Sequence, residues 1–253
     1  MYFNNDKISM YYKKYGTKKD TIIILPGWGN TRNTFNHIIN YFKDRFTIYI
    51  FDYPGFGNSN LPNNDLTIYD YALFIINFME EKNIDNPILI AHSFGGRIAT
   101  LLTGYYKEKI DKQILIDIAG IKQISLFKLI KQTIYKLLNN IIKIFPNKNI
   151  LQKKLLKLFA SNDYNNLDKE MYTTFKNIVN EDLTNYYKDI DCDTLLIWGK
   201  LDIDTPLKDA IKMNKLINNS ELIIYKDANH YSYLQYPYLT NRIIEEYIKN
   251  RID

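Results

Sequence analysis

Two patterns of apolar and polar positions alternate along the chain. Short runs rich in β-branched residues are separated by stretches in which apolar positions recur every three or four residues, the sequence form of parallel strands joined by crossover helices. The runs are Ile8 to Tyr15, Thr21 to Leu25, Phe46 to Phe51, Pro87 to Ala91, Gln113 to Asp117, Thr194 to Trp198 and Glu221 to Tyr225. The first reads apolar and polar by turns, which suits a hairpin at a sheet edge. The set predicts an α/β architecture built on one mostly parallel, doubly wound sheet. Between Ile118 and Asp193 the alternation stops and the pattern is helical throughout. A helical cap at 119–190 is therefore expected, inserted into an α/β core made of 1–118 and 191–253.

The first cap helix has Ser125 as its N-cap and Pro146 as its stop. At about 100° per residue, Phe127, Ile130, Ile134, Leu137, Leu138, Ile141 and Phe145 share one arc, while Lys128, Lys131, Lys136 and Lys143 lie on the other side. Such an amphipathic helix is expected to lay its apolar stripe on the α/β core as a pocket roof and leave the lysines in water.

Composition narrows the class. With 253 residues, 46% hydrophobic and 24% charged, the chain is long enough to bury a large core and resembles neither a disordered nor a fibrous protein. Met1 to Tyr15 lacks the apolar stretch of a secretory signal, and no apolar run approaches the ~18 residues of a membrane span. A soluble cytoplasmic protein is expected. The single cysteine, Cys192, excludes an internal disulfide and a cysteine-based metal cluster, and is expected to be a small buried residue. The net charge of +5 is local: residues 122–162 hold nine lysines and no carboxylate. Arginines or aromatics interleaved with these lysines on a known module would suggest nucleic acid, and none is visible, so no nucleic-acid partner is expected. The other use of such a face is to draw anionic substrates or an anionic lipid surface toward the cap.

The strongest chemical signal is Ile90-Ala91-His92-Ser93-Phe94-Gly95-Gly96, between an apolar strand and the helical stretch Arg97 to Tyr106. A serine on a tight strand-to-helix turn has its hydroxyl pushed above the sheet edge, and small residues two positions to either side let strand and helix cross closely. Ala91 and Gly95 supply them. A hydroxyl is a poor nucleophile near neutral pH, so Ser93 needs a base within hydrogen-bond reach. Of three histidines, His92 should point away from the nucleophile and pack or face solvent, and His37 reads as a helical surface residue. His230 follows the last strand, where a loop can hang an imidazole over the carboxyl edge of the sheet. The acid that fixes its tautomer is assigned to Asp202, the first carboxylate after the strand ending at Trp198, with Asp204 as rival and Asp117 as a weaker one. Two backbone N–H groups, those of Phe94 and of Trp28 in Pro26-Gly27-Trp28-Gly29, are expected to form the oxyanion hole. No cofactor-binding or metal motif is present: Gly55-Phe56-Gly57 lacks the third glycine and the following helix of a dinucleotide fingerprint.

With these residues in place the chain resembles the α/β-hydrolase superfamily from the first hairpin to the last helix. Asp52 to Ser59 is similar to the family's Asp-x-x-Gly-x-Gly-x-Ser loop, and Trp198 to Pro206 to its Trp-Gly-x-x-Asp-x-x-x-Pro acid loop. The Gly-Trp-Gly turn and helical cap most resemble small capped carboxylesterases such as the pimeloyl-ester hydrolases, although Pro26-Gly27 stands where the family usually has His-Gly. The resemblance implies an α/β-hydrolase fold and a serine hydrolase that cleaves a small to medium carboxylic ester or thioester through an acyl-enzyme. Carbon–carbon bond hydrolases, cofactor-free haloperoxidases and receptor-like ligand binders share the same constellation and stay open.

Overall fold

The computed structural model describes residues 1–122, 134–135, 137–143, 147–148, 150–152, 155 and 167–249. Eight strands form one sheet: β1 (Tyr2–Asn4), β2 (Ser9–Tyr15), β3 (Thr21–Leu25), β4 (Thr47–Asp52), β5 (Ile88–His92), β6 (Lys112–Ile116), β7 (Asp193–Gly199) and β8 (Ser220–Tyr225). Their order is β1-β2-β4-β3-β5-β6-β7-β8. The β1/β2 and β2/β4 pairs are antiparallel and the other five are parallel.

Alternation along the central strands sorts the core into two layers. Ile23, Leu25, Leu89, Ala91, Leu115, Leu196 and Trp198 face one side, packed with α2 (Ile68–Glu81), α3 (Phe94–Thr100) and α5 (Leu207–Leu216). Ile22, Ile24, Ile48, Ile50, Ile88, Ile90, Ile114, Ile116, Leu195 and Ile197 face the other, under α1 (Asn36–Phe42), α6 (Ser232–Gln235) and α7 (Pro237–Tyr247). Strands covered on both faces need apolar residues at nearly every position, which is why the runs read as continuous. The remaining described helix with a label, α4 (Tyr172–Asn180), lies in the excursion between β6 and β7. Its two ends meet where the Leu183 N–H donates to the Gly120 carbonyl at 2.9 Å.

The hairpin expected at the sheet edge is present: β2 pairs antiparallel with Tyr2–Asn4, an outer strand too short to show a period. Two expectations need correction. The helix after Ser93 starts at Phe94 rather than Arg97, and its continuation Leu101–Tyr105 is a π-helical turn. There the hydroxyls of Thr100 and Thr103 donate to the carbonyls of Gly96 and Ala99, a back-bonding that loosens helical hydrogen bonding. In the excursion, Ile134, Leu137, Leu138 and Ile141 are helical but 37–59% exposed, so the layers on the sheet do not cover the stripe at these positions. Periodicity records that a face is apolar, not what lies against it. Ser125, Phe127, Lys128, Ile130, Lys131, Lys136, Phe145 and Pro146 lie outside the described residues. Among the described residues no helix is long and apolar enough to cross a membrane.

Candidate active site

The turn that carries Ser93 joins β5 directly to α3. Ser93 has φ 49° and ψ −113°, a left-handed strain that a non-glycine residue keeps only when its surroundings enforce it. They do so by a close crossing: a Cβ on Gly95 would lie 2.0 Å from the carbonyl oxygen of Leu25 at the end of β3. Gly95→Ala therefore has to displace a central strand. We expect it to cost at least about 3 kcal/mol, and thermal unfolding to show Tm lowered by roughly 10 °C. An unchanged Tm would mean that this crossing is not tight. Ala91, one methyl larger than the glycine usual in this motif, is accommodated fully buried.

His230 hangs from the loop between β8 and α6 and meets Ser93 across 137 residues of chain. The Ser93 hydroxyl donates to His230 Nε2 at 2.9 Å, and His230 Nδ1–H donates to Asp202 Oδ2 at 2.8 Å. Asp202 stands on the loop after β7, its side chain wholly inaccessible, while the His230 side chain keeps 12% exposure. The Asp202 carboxylate is saturated: Oδ1 accepts the N–H groups of Asp204 and Thr205 at 2.8 and 2.9 Å, and Oδ2 also accepts the Thr205 hydroxyl at 2.6 Å. Burial pushes its pKa up, but the hydrogen bond and charge of His230 and the Thr205 donors outweigh this and leave it below the usual carboxylate value. Burial likewise pulls His230 down, and Asp202, helped by the charges of Asp117 and Asp204, more than reverses it, so the imidazole titrates above its ordinary value.

The rival acids are placed differently. The Asp204 side chain is exposed, and its hydrogen bond to the pair comes from its backbone N–H. Asp117 is buried at the end of β6, with its carboxylate turned to Gly199 and Ser232. Asp202, Asp204 and His230 bring one ligand-type atom each within 4.8 Å. Since the facing atoms of Asp202 and His230 are bonded to each other, a cation could enter only by breaking that pair.

His92 is fully buried, not at the surface, and its Nε2 lies 2.8 Å from the carbonyl oxygen of His230. A carbonyl only accepts, so the proton is on Nε2, and the bare Nδ1 faces the Asn30 amide at 3.5 Å. Burial first, then the charge of His230, push its pKa down to about 3, so it stays neutral. His92 thus ties the His230 loop to the Gly27–Asn30 turn, a support that the sequence reading missed because its partner is a backbone atom far along the chain. Thr205 was missed as well, though a threonine three residues after a loop aspartate is a recognisable local signal. His37 is half-buried rather than a free surface residue, with Nδ1 3.0 Å from Asn241 Oδ1. Cys192 is half-buried, and burial raises its thiol pKa to about 12.

Trp28 and Phe94 sit side by side, their ring centroids 5.1 Å apart, with Phe56 and Phe175 packed on the same indole at 5.1 and 5.4 Å. As the first residue of α3, Phe94 has no intrahelical acceptor for its N–H. The loop after β4 is closed by its aspartate: Asp52 Oδ2 accepts the Asn58 N–H at 3.0 Å and Arg32 Nη1 at 3.2 Å.

This arrangement can be set beside known proteins. The sequence model of the α/β hydrolase fold family matches residues 20–140. A protein of Mycoplasma genitalium named as an esterase/lipase is 31% identical over 234 residues, covering 86% of this chain and 84% of that one. The chain belongs to the α/β hydrolase fold family. The pimeloyl-[acyl-carrier protein] methyl ester esterase of Wigglesworthia glossinidia brevipalpis is 28% identical to this α/β hydrolase, over 94% of this chain and 97% of its own length. The enol-lactonase of Burkholderia xenovorans LB400 has the same fold, with a TM-score of 0.75 at 16% identity over 98% of this chain and all of that one. The family and the names of these relatives indicate a hydrolase.

Proposed function

We propose that this α/β hydrolase is a serine esterase that cleaves a small to medium carboxylic ester or thioester through an acyl-enzyme. The observation that carries the reading is the unbroken chain Ser93 Oγ, His230, Asp202 at the carboxyl edge of the sheet, with hydrogen bonds of 2.9 and 2.8 Å. In the first step Ser93 Oγ bonds to the acyl carbon as its proton passes to His230 Nε2, and the carbonyl π pair moves onto oxygen. The N–H groups of Phe94 and Trp28 are the donors we assign to that oxyanion. Collapse expels the alcohol or thiol, which takes the proton from His230. Water, deprotonated by the same imidazole, then releases the acid and restores Ser93. Asp202 stays ionised and stabilises the imidazolium.

The rings of Trp28, Phe56, Phe94 and Phe175 suit an uncharged acyl chain beside the nucleophile. In this reading residues 119–190 act as a cap, with α4 carrying Phe175 onto Trp28. The names of the esterase relatives support the same choice of reaction.

The base must be neutral to accept the proton, and His230 is held above its ordinary 6.5. Activity should therefore be full above that raised pKa and fall as pH drops through it. Measured for an aryl ester, kcat/KM is expected to have an acid limb with its midpoint above 6.5. A midpoint clearly below that value would mean that His230 is not the group titrating. Hydrolysis assays with aryl esters and thioesters of graded chain length test the substrate class directly, and absence of turnover on all of them would refute the esterase reading.

A further inference from the structure

Asp117 is a fully buried carboxylate that the proposed mechanism does not use. It ends β6 with φ 46°, a left-handed conformation unusual for aspartate. Its backbone lies against the acid side of the site: the N–H donates to the Ile197 carbonyl of β7 at 3.0 Å, and the carbonyl oxygen packs 3.0 Å from the Thr205 hydroxyl oxygen, whose proton goes to Asp202. Its carboxylate reaches both loops. Oδ1 accepts the N–H of Gly199 at 2.7 Å, where the Asp202 loop leaves the sheet. Oδ2 accepts the hydroxyl and the N–H of Ser232 at 2.6 and 3.1 Å, two residues beyond His230.

All the donors to this carboxylate are neutral. Among the described residues Asp117 has no ion pair with a lysine or arginine, and a buried carboxylate without a countercharge is costly. The ionisable groups that face it are Asp202 from the β7 loop, His230 from the β8 loop, Tyr225 of β8 and Tyr233 of α6. Burial holds both phenols above their ordinary value, hence neutral. The one cation that can form among these groups is the imidazolium of His230.

We propose that Asp117 is a positioning residue for the catalytic pair, clamping the Asp202 and His230 loops to β6 and adding a second negative charge behind the imidazolium. This rests on the serine-hydrolase reading above. Burial pushes the Asp117 carboxyl up to about 7 against the pull of Ser232 and Gly199, so its charge is complete only at alkaline pH, half present near neutral and lost as pH falls further.

The test is Asp117→Asn, which keeps the shape but loses the charge and one of the two acceptor sites. Expected is a fall in kcat of about 10- to 100-fold with KM little changed, the cost of a small misplacement of the base. Removing the anion should also move the acid limb of kcat/KM to lower pH by about 0.5–1 unit, less than a charge in direct contact gives. A loop tether without an electrostatic role would leave that limb in place, which would overturn the second half of the proposal. Should the variant fail to unfold cooperatively, Ser232→Ala tests the clamp from its other end, with an expected loss in kcat of about 3- to 10-fold. Native rates in either folded variant, with an unmoved limb in Asp117→Asn, would overturn the proposal. Fluorophosphonate labelling of the native protein separates the two readings. No labelling refutes the serine hydrolase and Asp117's role with it, whereas full labelling with an unaffected Asp117→Asn refutes only the role of Asp117.

Discussion

Replacing Ser93 by alanine is expected to abolish labelling by a fluorophosphonate and to lower kcat for ester hydrolysis by about 10⁵- to 10⁶-fold. The hydroxyl oxygen is the atom that forms the acyl bond in this mechanism, and with alanine in its place His230 can activate only water, without the acyl-enzyme. The fold supplies its own control. Serine and alanine both carry a Cβ, so both bear the same strain at φ 49°. The hydroxyl donates only to His230 among the hydrogen bonds described, and its loss leaves the crossing at Gly95 untouched. The variant should therefore unfold close to the native temperature, and lost activity with an unchanged Tm isolates the chemistry. Full labelling of the variant at another residue would move the nucleophile elsewhere.

Asp202→Asn is expected to lower kcat by about 10³- to 10⁴-fold, and the hydrogen-bond pattern shows why. Oδ1 accepts two backbone N–H groups, so the asparagine carbonyl must take that place. The amide nitrogen then occupies the Oδ2 position, 2.8 Å from His230 Nδ1, and donates to it. The imidazole is forced to carry its proton on Nε2, which faces the Ser93 hydroxyl and can no longer accept. Loss of the carboxylate also removes the main group that raises the His230 pKa. Asp204→Asn should cost less than about threefold, because its side chain is exposed and its backbone N–H remains. Steady-state kinetics on both variants gives the ranking, and the reverse order would transfer the acid role to Asp204.

Much of this was legible in the residue order. Continuous apolar runs mark strands covered on both sides and alternation marks β2, and seven of the eight strands were readable from these two patterns. Tyr2–Asn4 was not, since three residues cannot show a period. The elbow was readable because a serine between strand and helix, followed two residues later by glycine, reports a crossing constraint that acts within a few residues. Its partners were readable through their positions just past strand ends, since parallel strands deliver all such loops to one edge.

Sequence by itself determined the elements, the parallel sheet and the few candidates for nucleophile, base and acid, because those properties follow from local periodicity and from the chemistry of single side chains. It left Asp202, Asp204 and Asp117 as alternatives, and read His92 as packed or exposed without a partner. Only the tertiary structure decided how these groups stand: Asp202 against the imidazole, Asp204 in water, Asp117 beneath two loops, and His92 on the carbonyl of His230. The physical reason is range. A hydrogen bond is made or lost within a few tenths of an ångström, while the residues concerned are up to 138 positions apart. Their separation is set by the packing of a whole sheet, which no local pattern records. The same holds for the exposed stripe at Ile134, Leu137, Leu138 and Ile141: amphipathicity is written in the sequence, but what an apolar face meets is decided by the rest of the fold.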